Sequence, residues 1–165
     1  MPPISNQGRS ANQHGKILEG QITPILLGND YDVVSWADYK KNKAKFDAED
    51  KLAITQVPYT TIYGCKGKTE FVMINKTLGR RIRIECKYQN AAGSVDEKLP
   101  YTYLQAALAY EEDETILCLG GSGFKKGAKE WLKKACDSRW MLEGKPNRKI
   151  KLMTVDEITA FINDL

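Results

Sequence analysis

The chain has 165 residues, of which 42% are hydrophobic and 28% charged, a balance typical of one globular domain with its own core. The formal net charge is +4 at pH 7, which permits an acidic partner such as nucleic acid without requiring one. The apolar runs are too short to span a membrane, and the first fifteen residues lack the apolar segment of a secretory signal, so we expect no membrane partner.

The N-terminal half predicts a polar start followed by alternating helices and strands. Residues 1–11 are expected to form a flexible polar arm, and residues 12–165 the single folded domain. A first helix is predicted over 12–27, although Pro24 interrupts its apolar face. A short strand is predicted over 31–36, and the lysine-rich stretch that follows is either helical or a loop. Another strand is expected at 60–64.

The C-terminal half gives stronger patterns. Strands are predicted over 70–75 and 80–88, joined by a tight turn in which Gly79 takes a positive φ. A helix (100–110), a buried strand (115–121), an amphipathic helix (127–136) and a strand (148–153) follow. A capping box from Thr154 to Glu157 begins a closing helix. The predicted fold class is α/β, with a mixed β-sheet flanked by helices in a single domain.

The hairpin places two acidic side chains opposite one another. If Asn75 pairs with Arg80, paired residue numbers sum to 155, and Glu85 then faces Glu70. Directly opposed residues have Cβ atoms roughly 5 Å apart, and two carboxylates at that distance repel unless a cation lies between them. Mg²⁺ suits hard oxygen ligands of this kind. Lys87 lies on the same face as Glu85, whereas a shift of one residue would separate the two acids.

The tripeptide Glu-x-Lys is not distinctive by itself. It occurs three times, beginning at Glu49, Glu85 and Glu143, and the first and third lie in charged or turn-forming segments. Only the copy at Glu85 stands in an apolar strand. The alternative is that Glu85 and Lys87 form an exposed pair on an edge strand, where charges protect against aggregation.

The stretch "KTEFVMINKTLGRRIRIECKYQ" resembles the core of the PD-(D/E)XK nuclease superfamily, the restriction-endonuclease-like fold of restriction, phage and homing enzymes. The resemblance implies that Glu70 takes the place of the family aspartate, and that Glu85 and Lys87 supply the E-x-K. Gln89 completes an E-x-K-x-Q pattern seen in some members. Thr69 stands where that family has proline, and Glu70 is one methylene longer than aspartate.

Further segments agree with this resemblance. "GKILE" looks like a first-helix motif whose glutamate, here Glu19, is an additional metal ligand. The later "LGGSGFKKGAKEWLKKA" is similar to the strand, glycine turn and helix of related members. Four lysines near the glycine turn or the preceding loop are expected to contact the DNA backbone. They are Lys98, Lys125, Lys126 and Lys129.

The expected function is a Mg²⁺-dependent DNA endonuclease, with Mn²⁺ as a substitute ion. The alternatives are a non-cleaving nucleic-acid-binding module of the same fold and a structure-specific, junction-resolving nuclease. His14 is the sole histidine, which disfavours Ser-His-Asp hydrolases, cysteine proteases and HNH nucleases. The four cysteines form no C-x-x-C pair and are expected to be reduced, in the cytoplasm of a bacterial or phage-infected cell. Cutting both strands with so short a chain predicts a homodimer or homotetramer.

Overall fold

The structure, a computed structural model, describes the backbone of residues 7–165 and the side chains of residues 16–165. The helices are α1 (Gln7–Gly28), α2 (Trp36–Lys41), α3 (Lys43–Phe46), α4 (Lys98–Leu108), α5 (Lys126–Asp137) and α6 (Val155–Asn163). The strands are β1 (Asp32–Ser35), β2 (Lys51–Thr60), β3 (Lys66–Asn75), β4 (Arg80–Tyr88), β5 (Glu114–Gly120) and β6 (Lys149–Met153). A 3₁₀ turn, Ser94–Glu97, precedes α4.

Within the described residues the strands form one mixed sheet in the order of the chain, β1-β2-β3-β4-β5-β6. The central strands β2, β3 and β4 form an antiparallel meander. The outer strands are parallel to their neighbours: β1 to β2, β5 to β4, and β6 to β5. Helical connections make these parallel pairings possible. The predicted α/β class with a mixed, helix-flanked sheet is therefore confirmed.

Each face of the sheet is covered by helices. On one face, apolar residues of β3, β4 and β5 pack against α1 and α6 through Leu18, Ile22 and Ile158. On the other face, α4 and α5 cover β5 with a second core that contains Leu99, Tyr103 and Leu132. A smaller core near α2 is built on residues of β2 and β3. Burial on both faces explains why β5 is a nearly continuous apolar run, whereas β4 keeps charged side chains on one of its buried faces.

Several element boundaries differ from the sequence prediction. The helix α1 begins at Gln7, inside the predicted arm of residues 1–11, and it continues through Pro24; residues 1–6 of that arm lie outside the described residues. The strand predicted at 60–64 is wrong, because β2 occupies Lys51–Thr60 and a turn with Gly64 at φ +74° follows it. The capping box of α6 and the positive φ of Gly79, at +61°, are confirmed.

An irregularity in β2 explains the missed strand. Gln56 has a φ of +55°, and the alternation of buried faces shifts there, so that Leu52, Ile54 and Val57 all reach the same small core. Pro58 follows, beyond the last β1–β2 pair at Ser35 and Thr55, where the missing N–H of proline costs no hydrogen bond to β1. Proline and a broken alternation both conceal a strand from sequence analysis.

No helix in the described part of the chain is long and apolar enough to cross a membrane.

Candidate active site

The β3–β4 hairpin has the register that the turn arithmetic predicts. Asn75 pairs with Arg80, and the ladder continues to Phe71 and Ile84, with every pair summing to 155. The turn is held by the backbone N–H of Gly79, which donates to Lys76 O at 3.0 Å, and by Asn75 Oδ1, which accepts from Leu78 N–H at 3.1 Å. The ladder ends one residue before Glu70 and Glu85, so the acids lie where the two strands stop pairing.

Glu70 occupies the end of this ladder. Its Oε2 accepts a hydrogen bond from the backbone N–H of Cys86 at 2.9 Å, so the carboxylate lies against β4 beside Glu85 and Lys87. Burial raises the pKa of Glu70 to about 8, and the negative charge of Glu85 acts in the same direction. The positive charge of Lys87 and the Cys86 N–H oppose this shift without cancelling it. Without a cation, Glu70 therefore holds its proton at neutral pH.

Glu85 and Lys87 form an ion pair on β4. Lys87 Nζ donates to Glu85 Oε1, and the side chain of Glu85 is buried while that of Lys87 reaches solvent in part. Burial acts to lower the pKa of Lys87, but the charges of Glu85 and Glu70 outweigh it and raise that pKa above its usual value. Lys87 is therefore a cation at neutral pH, where it can donate hydrogen bonds but not act as a base.

Glu70 and Glu85 supply carboxylate oxygens, the type of ligand that a divalent ion such as Mg²⁺ binds. Glu85 Oε2 is buried and has no hydrogen-bond partner among the described residues, a costly state for a carboxylate oxygen unless a cation is bound to it. No three Asp, Glu, His or Cys side chains of the described part group as a metal site. Mg²⁺ commonly binds through one or two carboxylates, with water and substrate phosphate completing its coordination. Glu70 and Glu85 could hold such an ion.

A cleft of about 340 Å³ opens beside this pair, between the sheet and α4. Besides Glu85 and Lys87, its walls are formed by Tyr59, Lys98, Tyr101, Thr102, Gln105 and Tyr110. The predicted DNA-contacting residue Lys98 thus lies in the same cleft as Glu85 and Lys87, whereas the predicted catalytic residues Glu70 and Gln89 are not among the residues that line it. The tyrosines and Gln105 are site residues that sequence analysis did not assign. Their positions depend on how α4 packs on the sheet, for which the sequence carries no local signal.

A buried ion pair supports the floor of the cleft. Arg83, two residues before Glu85 on the same face of β4, donates to both carboxylate oxygens of Glu112 and to Thr69 Oγ1 at 2.9 Å. Its guanidinium lies 5.0 Å from the ring centroid of Tyr110 and 5.7 Å from that of Tyr59. The arginine therefore links β3 and β4 and contacts two cleft tyrosines, and the polar face of β4 is fully partnered at this position.

Gln89 serves as a link between loops. Its Nε2 donates to Gly123 O at 3.0 Å, and its Oε1 accepts from Val95 N–H at 3.0 Å. Its backbone O also accepts from Gly123 N–H at 2.7 Å. These bonds tie the glycine turn after β5 to the segment that precedes α4. The contacts give Gln89 a structural role between these loops, and its catalytic role stays a prediction.

The other predicted residues are spread over the surface. Glu19 lies on α1 in a shallow depression with Lys16 and Thr23. Among the described residues it does not belong to a cluster of three potential metal ligands, so its role as a metal ligand stays a prediction. Lys126 lies 3.6 Å from Glu130 on the exposed face of α5. Lys129 lines a separate cavity of about 710 Å³ between α5 and β6. Lys125, just before α5, donates its backbone N–H to Asp96 Oδ1 at 3.0 Å.

Comparison with known proteins gives one match. A family model described as "PD-(D/E)XK nuclease superfamily domain" matches residues 10–165. No curated protein and no solved structure matches the chain significantly. The matched range includes α1 from residue 10 onward, the whole sheet and every residue assigned to the site.

Proposed function

Because the chain belongs to the PD-(D/E)XK nuclease superfamily, we propose that it is a Mg²⁺-dependent DNA endonuclease that hydrolyses phosphodiester bonds at Glu70, Glu85 and Lys87. The superfamily supports nuclease activity in general, and the metal, the DNA substrate and the three residues are our proposal. The observation that carries it is the unpartnered Oε2 of Glu85, buried beside a second acid and a cation. A site without catalytic activity would not need all three groups, and all three are present here.

The metal would be held by Glu85 through Oε2 and by the carboxylate of Glu70. When bound, such an ion polarises the phosphodiester and lowers the pKa of a coordinated water. Glu70 must release its proton for this, so the raised pKa couples ion binding to proton release. The Cys86 N–H fixes the orientation of the Glu70 carboxylate in the meantime.

Lys87 would stabilise the negative charge that develops on the phosphate during hydrolysis. Its ammonium group is partly exposed at the cleft and remains protonated, so it can donate to a non-bridging phosphate oxygen or to the attacking water. A fixed cation at the position where negative charge develops lowers the barrier without rearrangement. Lys98, in the wall of the same cleft, would contact an adjacent phosphate.

The test is cleavage of supercoiled plasmid, linear duplex and branched DNA with Mg²⁺ or Mn²⁺, compared with EDTA. The variants Glu85→Gln and Lys87→Met keep the side-chain size but remove one charge each. We expect each to reduce the cleavage rate by roughly 100-fold or more, as removal of a transition-state stabilising group commonly does. Glu143→Ala is the matched control, since it removes the acid of an exposed Glu-x-Lys elsewhere in the chain.

Cleavage that persists in both charge-removing variants, or that does not depend on a divalent ion, would overturn the proposed site. DNA binding without cleavage in the unmodified protein would indicate the non-cleaving binding module instead. A preference for branched over linear DNA would assign junction-resolving activity to the same site.

A further inference from the structure

Gln105 presents a free donor in the cleft beside the proposed catalytic pair. The residue is 1% exposed, and its Oε1 accepts a hydrogen bond from the backbone N–H of Ile62 at 3.0 Å. That bond fixes which atom of the amide is the oxygen. The remaining atom, Nε2, is buried without a hydrogen-bond partner among the described residues. A buried amide donor is costly unless a ligand or water accepts from it.

Two tyrosine rings form a stacked platform at the edge of this cleft. Tyr101 lines the cleft, and Tyr63 stacks on it with ring centroids 5.4 Å apart and planes inclined by 25°. Tyr63 is 74% exposed although its ring is stacked on Tyr101, so one face of the ring is open to solvent. The platform and the Gln105 donor are joined, because the loop that carries Tyr63 is anchored to Gln105 through Ile62.

The platform loop is ordered by its own hydrogen bonds. Thr61 N–H donates to Cys65 O at 2.8 Å, and Gly64 N–H donates to Thr61 O at 2.8 Å. Gly64 has a φ of +74°, which the turn requires and which glycine adopts without strain. A binding loop that is already ordered loses little conformational entropy when a ligand binds. The rings are therefore prepared to receive a flat partner.

We propose that this cleft binds one unpaired nucleobase of the nucleic-acid substrate, next to the phosphate that is cut. The inference rests on the proposed nuclease function and specifies its substrate class. The exposed face of Tyr63, supported from behind by Tyr101, would stack on the base. Gln105 Nε2 would donate to an acceptor on the base edge, and Lys98 would contact the neighbouring phosphate. Aromatic stacking and backbone cations are the means by which proteins bind single strands without strong sequence preference.

This geometry selects against continuous duplex. In a duplex the bases are stacked and paired, and a side-chain cleft reaches one only after the nucleotide is extruded, which costs a few kcal/mol. The cost is least where the nucleotide is already unpaired. Flaps, overhangs, bulges and single strands near a duplex therefore fit the cleft better than an intact linear duplex does.

The inference can be tested by binding, without any cleavage. Oligonucleotides carrying 2-aminopurine in an unpaired flap, or in the matching position of a full duplex, are titrated with the protein in EDTA. Stacking on an aromatic ring quenches the fluorescence of this base, so we expect quenching with the flap and not with the duplex. Tyr63→Ala should weaken flap binding by roughly 5- to 100-fold and abolish the quenching.

The matched controls separate stacking from other effects. Tyr63→Phe keeps the ring and should retain both affinity and quenching, whereas Leu78→Ala removes an exposed apolar side chain at the remote hairpin turn and should change neither. Glu85→Gln should lose cleavage but still quench, which keeps the nuclease proposal distinguishable from this one. Equal affinity for flap and duplex, or unchanged quenching in Tyr63→Ala, would overturn the inference even if the protein cuts DNA.

Discussion

Glu70 is the residue on which the chemistry of the site depends most directly. It stands where the superfamily motif has the shorter aspartate. Its carboxylate nevertheless accepts a hydrogen bond from Cys86 N–H, and it lies close enough to Glu85 for the charge of that residue to raise the pKa of Glu70. The extra methylene is thus accommodated at the point where β3 and β4 stop pairing. A carboxyl whose pKa is raised on folding makes stability depend on pH.

The metal-free protein should lose stability as pH rises. The folded state holds the Glu70 proton more tightly than the unfolded state, so this contribution is complete below about 4.5 and is lost as pH rises through about 8. We expect the free energy of unfolding, measured by urea titration in EDTA, to fall by about 1–4 kcal/mol over this range. Glu70→Gln should remove most of the decline. Parallel pH profiles for the two proteins would contradict the assignment.

At the scale of the elements, the polar face of β4 is stabilised by the buried pair of Arg83 and Glu112. Both side chains are almost fully buried, and Arg81 also donates to Glu112 at 3.1 Å. Removing one partner of such a pair leaves a buried charge without compensation, which is far more damaging than replacing both partners with apolar groups.

We expect Glu112→Gln to lower the free energy of unfolding by about 3–5 kcal/mol in a urea titration. The double variant Arg83→Met with Glu112→Leu should recover most of that loss. Glu114→Gln is the control: Glu114 also binds an arginine, Arg80, with two hydrogen bonds, but the pair is partly exposed and should contribute about 1 kcal/mol or less. Equal losses at both positions would show that burial is not the cause.

The glycine turn after β5 docks tightly on the end of β4. Gly121 has a φ of +84°, and a Cβ there would lie 2.3 Å from the backbone oxygen of Gln89. Gly121→Ala should therefore destabilise the protein by roughly 1–3 kcal/mol, measured as a lower denaturation midpoint. Gly127→Ala is the matched control, because that glycine lies in α5 with open space around it, and alanine there should stabilise by about 0.5–1 kcal/mol.

The sequence predicts elements well where the deciding interactions are local. The hairpin register depends on four turn residues, and the capping box of α6 on two, so both are confirmed by the structure. Glu112 and Gln105 illustrate the opposite case. Each makes its contact with a residue far along the chain, Arg83 or Ile62, and nothing local in the sequence indicates either contact.

At the scale of the whole molecule, ion binding and folding should be linked. An ion that binds only the folded state stabilises it, by about 1.4 kcal/mol when its concentration is tenfold above Kd, or roughly 3–6 °C in Tm for a domain of this size. We expect Mg²⁺ to raise Tm more at pH 9 than at pH 6, since Glu70 then no longer needs to release its proton. Glu85→Gln should abolish the shift, and a shift of equal size in that variant would place the ion elsewhere.

Both edges of the sheet carry features that prevent one molecule from extending the sheet of another. At one edge β1 has only four residues, and at the other the short strand β6 carries the exposed side chains of Lys149 and Lys151. Short edge strands and lysines are common protections against intermolecular strand pairing. If the protein assembles to cut both strands, its subunits should therefore meet through helices or loops, and a continuous intersubunit sheet should not form.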